Sequence, residues 1–258
     1  MADLKGQWSL VTGATSGFGM ATARALAAHG CHVAITGRRE DRLQALASEL
    51  RERHQVETAS LAFDVRDLSQ VLSTLGEATD LLAKLDILIN NAGLALALDP
   101  VQDGNPADWD QMIDTNLKGL LYVTRIVLPG MVGRGRGHIV NVGSIAGHQV
   151  YAGGAVYSAT KFAVRAISDA LRCDVLGTGV RVSNVEPGLA ETEFSEVRFK
   201  GDRTRAKTVY EGMSPLRPED VADAITWCLT RPPHVNIQSV LIMPTDQSPT
   251  LAVHRRKT

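Results

Sequence analysis

Only three cysteines occur in 258 residues, Cys31, Cys173 and Cys228, odd in number and widely spaced. None falls in a CxxC or metal-ligand spacing, which argues against a disulfide framework and suits reduced thiols in a cytoplasmic protein. The seven histidines form no HxxxH pair, so no metal is expected. No apolar run approaches the roughly 18 residues of a membrane span. Residues 1–6 show no basic stretch leading into an apolar one, so no secretory leader is expected. Charge of either sign is not in excess: 27 basic against 28 acidic side chains leave a net −1. That balance argues against a nucleic-acid binder, whose affinity rests on phosphate neutralisation.

What remains is ordinary globular composition, 44% hydrophobic and 21% charged, neither disordered nor fibrous. No internal repeat, low-complexity tract or linker divides the chain, so residues 1–258 read as one domain. Short apolar runs at 8–12, 32–36, 58–63, 87–90, 138–142, 180–185 and 239–243 read as strands. The first six lack polar/apolar alternation over most of their length, as strands buried on both faces of a parallel sheet do. Helical patterns near 17–29, 39–53, 67–83, 106–133, 155–177 and 218–230 lie between them. This alternation predicts an α/β, doubly wound Rossmann fold with right-handed crossovers. Residues 188–217 break the rhythm with mixed charge (Glu191, Glu193, Glu196, Arg198, Lys200, Asp202, Arg203, Arg205) and directly follow Pro187-Gly188. Because ligands of such sheets bind beyond the carboxyl ends of strands, a substrate lid is the first reading and a surface excursion the alternative.

The first strand runs into Thr12-Gly13-Ala14-Thr15-Ser16-Gly17-Phe18-Gly19 and then an alanine-rich helix. Gly13, Gly17 and Gly19 let backbone approach a pyrophosphate, and the helix start supplies N–H groups and a positive dipole end. The second strand ends in Gly37, where an acidic residue would take an NAD ribose hydroxyl, followed by Arg38 and Arg39. Guanidinium forks suit a phosphate, so NADP(H) is expected over NAD(H). The other reading is a solvated helix start, made less attractive by two cations opposing the helix dipole. Asp64 and Val65, ending the third strand, are expected near the adenine, with a capping role for Asp64 as the alternative. Asn91 and Gly93, ending the fourth, are expected to line the cofactor, or else simply to turn the chain.

Tyr157 and Lys161 are four apart at the start of a helix and share a face. An ammonium beside a phenol favours the phenolate and lowers a pKa that is otherwise too high for proton exchange near neutrality. Ser144, just past the fifth strand, is placed to hold a substrate oxygen beside Tyr157. Asn116 falls within a long helix, where an amide needs hydrogen bonds, and a water-holding role fits. Each residue singly has a structural reading; together those readings require several coincidences.

This set, with Pro187-Gly188 and in this order, resembles the short-chain dehydrogenase/reductase family over essentially the whole chain. The resemblance implies a seven-stranded, mostly parallel sheet with helices on both faces. It implies Tyr157 as general acid/base, Lys161 contacting the nicotinamide ribose, Ser144 orienting substrate and Asn116 completing a proton relay. Thr15, Ser16, Phe18, Pro187, Gly188 and Thr192 join the cofactor contacts, and the expected assembly is a homotetramer built from the long helices and C-terminal contacts. Asn91-Ala92-Gly93-Leu94-Ala95-Leu96, Met112-Ile113-Asp114-Thr115-Asn116, Tyr151-Ala152-Gly153-Gly154 and Val197-Arg198-Phe199-Lys200-Gly201-Asp202 look like bacterial NADP-dependent 3-hydroxy acid dehydrogenases. That group oxidises serine and allo-threonine and reduces malonic semialdehyde; sulfoacetaldehyde reductases are similar. The segment from Gly188 to Phe194 is one residue shorter and more acidic than that pattern. A hydroxy acid needs a cation for its carboxylate, and Arg198, with Tyr151 shaping the pocket, is the candidate; an exposed loop arginine is the alternative. A general carbonyl reductase and a non-catalytic NADP(H) sensor are the competing functions, the latter having no need of the Asn/Ser/Tyr/Lys set. The basic tail Arg255-Arg256-Lys257 is expected to be solvated.

Overall fold

The computed structural model describes residues 3–248 and 252–256. Seven strands form one sheet: β1 (Trp8–Val11), β2 (His32–Gly37), β3 (Thr58–Ala62), β4 (Leu85–Asn90), β5 (Gly137–Val142), β6 (Val180–Pro187) and β7 (Ser239–Ile242). Their order is β3-β2-β1-β4-β5-β6-β7 and every pairing is parallel. The sheet is thus wholly rather than mostly parallel. Burial follows that order. β1 and β4 are buried at every residue, whereas the edge strands β3 and β7 are not. Leu10, Leu88, Ile89 and Ile139 are fully buried, each contributing about 1.5–3 kcal/mol through apolar area removed from water.

One face is covered by α1 (Gly17–Ala28), α2 (Glu40–His54) and α10 (Pro218–Leu229), with α1 packed on α10. The other carries α3 (Leu68–Glu77), α4 (Thr79–Lys84), α6 (Leu120–Arg134) and α7 (Ala155–Asp174). The single helix expected over 67–83 is two, parted at Ala78, two residues after the poor helix former Gly76. The long helix expected over 106–133 is also divided. α5 (Pro106–Ile113), capped by the Asn105 side chain on the Ala107 N–H, passes through a π turn (Asp114–Gly119) into α6. Such π turns commonly mark functional sites, and this one contains Asn116.

Chain order reverses between β1 and β4, and a crevice opens at their carboxyl ends, as the fold requires. The segment after β6, the candidate lid, borders it through Thr192, Glu193, Phe194 and Val197. It contains α8 (Phe194–Arg198) and α9 (Arg203–Thr208), and its ends are joined by a bridge between Ala190 and Leu216. The described part of the tail is exposed at Arg255 and Arg256 but anchored. Arg255 donates to Glu211 O and Val209 O, and Arg256 pairs with Asp246 at 3.0 Å, fastening the tail to the base of the lid. Lys257 lies outside the described residues. No helix among the described residues is long and apolar enough to cross a membrane.

Candidate active site

The crevice holds about 280 Å³ and is walled by the glycine turn, the ends of β2 to β5, the start of α7 and the lid. Gly13 and Gly17 have φ of +65° and +52°, a left-handed conformation that side chains disfavour. A Cβ on Gly13 would lie 2.9 Å from Ala92 Cα, and one on Gly19 would lie 2.4 Å from Gly13 O. No side chain fits there, and Gly19 serves the packing beneath the turn rather than the crevice wall. Ser16, the N-cap of α1, makes no side-chain cap hydrogen bond, so the first N–H groups of the helix are available to an anion. The Asn91 amide donates to Thr12 O (2.8 Å) and Gly13 O (3.1 Å), tying the end of β4 to the turn. A glycine cradle at an uncapped helix start suits a dinucleotide pyrophosphate.

Gly37, Arg38, Arg39, Asp64 and Val65 line one end of this crevice. Arg39 is held to the glycine turn: Nη2 donates to Thr15 Oγ1 (2.8 Å) and Ser16 Oγ (3.1 Å). Arg38 is more exposed and lies 4.0 Å from Asp64. Asp64 is engaged by Arg66, which donates through Nη2 at 2.7 Å and Nε at 3.0 Å. Burial raises the Asp64 pKa, but the Arg66 hydrogen bonds outweigh it and hold the carboxyl below its usual range. The cap of α3 is Asp67, not Asp64.

At the other end, β5 and α7 bring the catalytic candidates together. Tyr157 and Lys161 are both buried. Lys161 Nζ donates to Val142 O at 2.8 Å and lies 5.9 Å from the Tyr157 ring centroid. Burial alone pushes its pKa down to about 8. Burial pushes the Tyr157 phenol up to about 12, with Arg198 and the hydrogen-bonded Ser144 hydroxyl pulling the other way. Arg198 is thus a second cation at Tyr157, beside the Lys161 that the spacing placed there. Ser144 also accepts from the Ala146 N–H at 3.1 Å, which orients its hydroxyl. The Asn116 amide donates to Leu94 O (2.9 Å) and Thr160 Oγ1 (3.0 Å) and accepts from the Leu94 N–H (2.9 Å). Those bonds make its side chain a brace between the π turn, the loop after β4 and α7. Gly93 is the close neighbour of both residues: a Cβ there would lie 3.3 Å from Asn116 Oδ1 and 3.6 Å from Lys161 Nζ.

The lid supplies the remaining wall. Thr192 rests on Gly17, and Phe194 meets Tyr157 with ring centroids 5.7 Å apart. Arg198 donates to Tyr151 Oη at 2.9 Å, and its guanidinium carbon lies 5.3 Å from the Tyr157 centroid and 5.0 Å from that of Phe194. Its Nε is buried without a hydrogen-bond partner among the described residues. Pro187 and Gly188 do not line the crevice; they turn the chain from β6 into the lid, with the Gly188 N–H bonded to Ile242 O at 2.8 Å. The sequence reading passed over Arg42, Arg66 and Phe194. Phe194 is one of several apolar residues in that charged segment, and neither it nor the arginine partners, which depend on loop path, leaves a local signal.

A family model described as short chain dehydrogenase matches residues 7–203. The chain is 52% identical over 248 residues to an NADP-dependent 3-hydroxy acid dehydrogenase of Salmonella typhi, covering 95% of this chain and 98% of that one. It is 50% identical over 240 residues to sulfoacetaldehyde reductase 2 of Chromohalobacter salexigens, covering 93% and 94%. The closed form of a serine dehydrogenase complexed with NADP+ superposes with a TM-score of 0.89 at 48% identity, covering 97% and 100%. The chain belongs to the short chain dehydrogenase family and is an oxidoreductase of that family.

Proposed function

We propose that the protein is an NADP(H)-dependent dehydrogenase of small 3-hydroxy acids, of the serine, allo-threonine or 3-hydroxypropionate type. The observation that carries the substrate class is Arg198: a cation beside Tyr157, with a buried Nε that has no partner. A buried donor left unpaired is costly, and a carboxylate supplies the charge-assisted acceptor it lacks. NADP-dependent relatives and the arginines after β2 support the cofactor.

The residues that would hold NADP(H) are Gly13, Thr15, Ser16, Gly17 and Phe18 of the glycine turn, Arg38, Arg39, Asp64, Val65, Asn91, Gly93 and Thr192. Bound there, the cofactor supplies or accepts the hydride. Tyr157 exchanges a proton with the substrate oxygen, and in the reduced direction its high pKa keeps that proton in place until it is needed. Ser144 holds the same oxygen, whose charge changes in the transition state. Arg198 and Tyr151 grip the acid group, and Phe194 excludes water from the reacting carbon. Lys161, anchored on Val142 O, presents a cation next to Gly93 at the nicotinamide end.

The test is NADP reduction followed at 340 nm with serine, 3-hydroxypropionate and isethionate, repeated with Arg198→Ala. Loss of a charge-assisted contact should raise KM for the hydroxy acid by about 10- to 100-fold. Preference for isethionate would move the substrate to the sulfonates, and an unchanged KM would remove the clamp. A cytoplasmic homotetramer accompanies this reading. Exposed Leu121 on α6, Phe162 on α7 and Trp227 on α10 support assembly, and light scattering showing a stable monomer would refute it.

A further inference from the structure

The crevice wall contains one anionic side chain that the chemistry above leaves without a task. Glu193 immediately precedes α8 in the lid, without a side-chain capping bond, and lines the crevice beside Arg39. Its two oxygens are divided between two arginines. Arg39 Nη1 donates to Oε2 at 3.0 Å, and Arg42 Nη1 donates to Oε1 at 2.7 Å. Arg42 lies in the first turn of α2, so one carboxylate joins the lid to both the end of β2 and the helix behind it.

This arrangement differs from an incidental surface pair in three respects. Arg39 is already fixed by Thr15 and Ser16 on the glycine turn, so its guanidinium is aimed before any anion arrives. The two arginines converge on one point, with a donor from each reaching a separate oxygen, which is how guanidinium groups take a tetrahedral oxyanion. Burial raises the Glu193 pKa, but hydrogen bonds from Arg42 and Arg39 outweigh it and hold the carboxyl below its usual range, so the anion persists across the working pH of an enzyme. The lid is also seated by this contact: Thr192, the preceding residue, lies on Gly17.

We propose that Glu193 is an internal stand-in for the cofactor's 2′-phosphate. Its carboxylate occupies the anion seat between Arg39 and Arg42 and yields that seat when NADP(H) binds, so that the 2′-phosphate ends the tie between the lid and α2 and leaves the lid held by its contacts with the bound cofactor. The inference rests on the NADP(H) reading above and adds two residues to it: Arg42 as part of the phosphate seat and Glu193 as the residue that sets the cofactor threshold. A cofactor bearing only a ribose hydroxyl brings no competing charge and leaves Glu193 in place. Discrimination against NAD(H) would then come partly from the lid, far in sequence from the arginines.

The experiment uses the full chain and two probes, adenosine 2′,5′-bisphosphate and AMP, titrated by calorimetry into wild type and Glu193→Gln. Glutamine keeps the shape and removes the charge at a half-exposed position, so the variant should fold. The bisphosphate should bind about three- to tenfold tighter to the variant, the scale of one or two half-exposed ion pairs, and AMP should change by less than about twofold. Hydrogen exchange is the second readout. In wild type the bisphosphate should speed exchange across residues 190–201, AMP should not, and Glu193→Gln should exchange fast without either. Unchanged or weaker binding of the bisphosphate to the variant, or an equal gain for both probes, overturns the stand-in. If wild type itself fails to prefer the bisphosphate over AMP, the NADP(H) reading falls with it, so the two failures are distinct.

Discussion

Lys161 is a buried cation whose one fixed partner is a main-chain carbonyl, and replacing it should make the protein more stable while destroying its activity. Its pKa falls from 10.5 to about 8 through burial. A shift of that size corresponds to about 3 kcal/mol of penalty on the charged form at neutral pH. In Lys161→Met that penalty disappears and the hydrogen bond to Val142 O is lost, at about 1 kcal/mol. The expected net gain at pH 7 is about 2 kcal/mol, or roughly 4–8 °C in melting temperature for a chain of this size. The pH dependence carries its own signature. Between about pH 8 and the unfolded lysine pKa of about 10.4, the unfolded chain binds a proton that the folded one does not, so wild-type stability rises with pH in that window. Below it both states are protonated and the penalty is constant. The advantage of Lys161→Met should therefore shrink from pH 7 to about pH 10.5. The assay is thermal unfolding of the cofactor-free protein at fixed concentration across pH 7–10.5, beside turnover at 340 nm, which should fall at least about a hundredfold. A variant less stable than wild type at pH 7, or a difference that does not vary with pH, would refute the reasoning.

Four further outcomes follow from the same structure. Burial of Tyr157, with its phenol pushed up to about 12, means that the ultraviolet difference between wild type and Tyr157→Phe should show a tyrosinate appearing only above about pH 10; a midpoint below 9 in the free enzyme would contradict it. The same variant should lose about 10²- to 10⁴-fold in turnover while binding NADPH nearly as before, measured by fluorescence titration. Gly19→Ala places a methyl 2.4 Å from Gly13 O and 2.5 Å from the Asn91 amide, so calorimetry should show about 1–3 kcal/mol of lost stability and denaturant curves should agree; normal stability would mean the turn relaxes freely. Asn116→Ala removes three hydrogen bonds to Leu94 and Thr160, with an expected loss of about 2–4 kcal/mol, and a melting temperature within 2 °C of wild type would show that the brace is dispensable.

Much of the site was legible before the fold was known. Gly13, Gly17 and Gly19 follow a buried strand and open an alanine-rich helix, and only such residues permit backbone to approach a phosphate. Tyr157 and Lys161 share a helix face by their spacing. Arg38 and Arg39 stand where the strand-end acid of an NAD site would be, and both line the crevice. Less was legible about what those residues touch. Asn116 read as a helical amide with a water to hold; the π turn that places it between Leu94 and Thr160 leaves no periodic mark in a sequence whose helical pattern runs on from 106 to 133. The exposure of the tail was legible, but its anchors on Val209, Glu211 and Asp246 were not, because they belong to other segments.

The sequence by itself determined the order of strands and helices, the glycine cradle, the tyrosine–lysine pair and membership of the family, because each is written in periodicities and spacings spanning a few residues to a few turns. The tertiary structure alone decided which charges meet. Arg198 joins Lys161 beside Tyr157 and opposes burial there, and Glu193 crosses the crevice to Arg39 and Arg42. Both contacts depend on the path of the lid between β6 and α10, and that path is set by packing on distant elements rather than by any local pattern. Electrostatic energy falls with distance in space, not along the chain, so only the folded path could say which cation stands beside which acid.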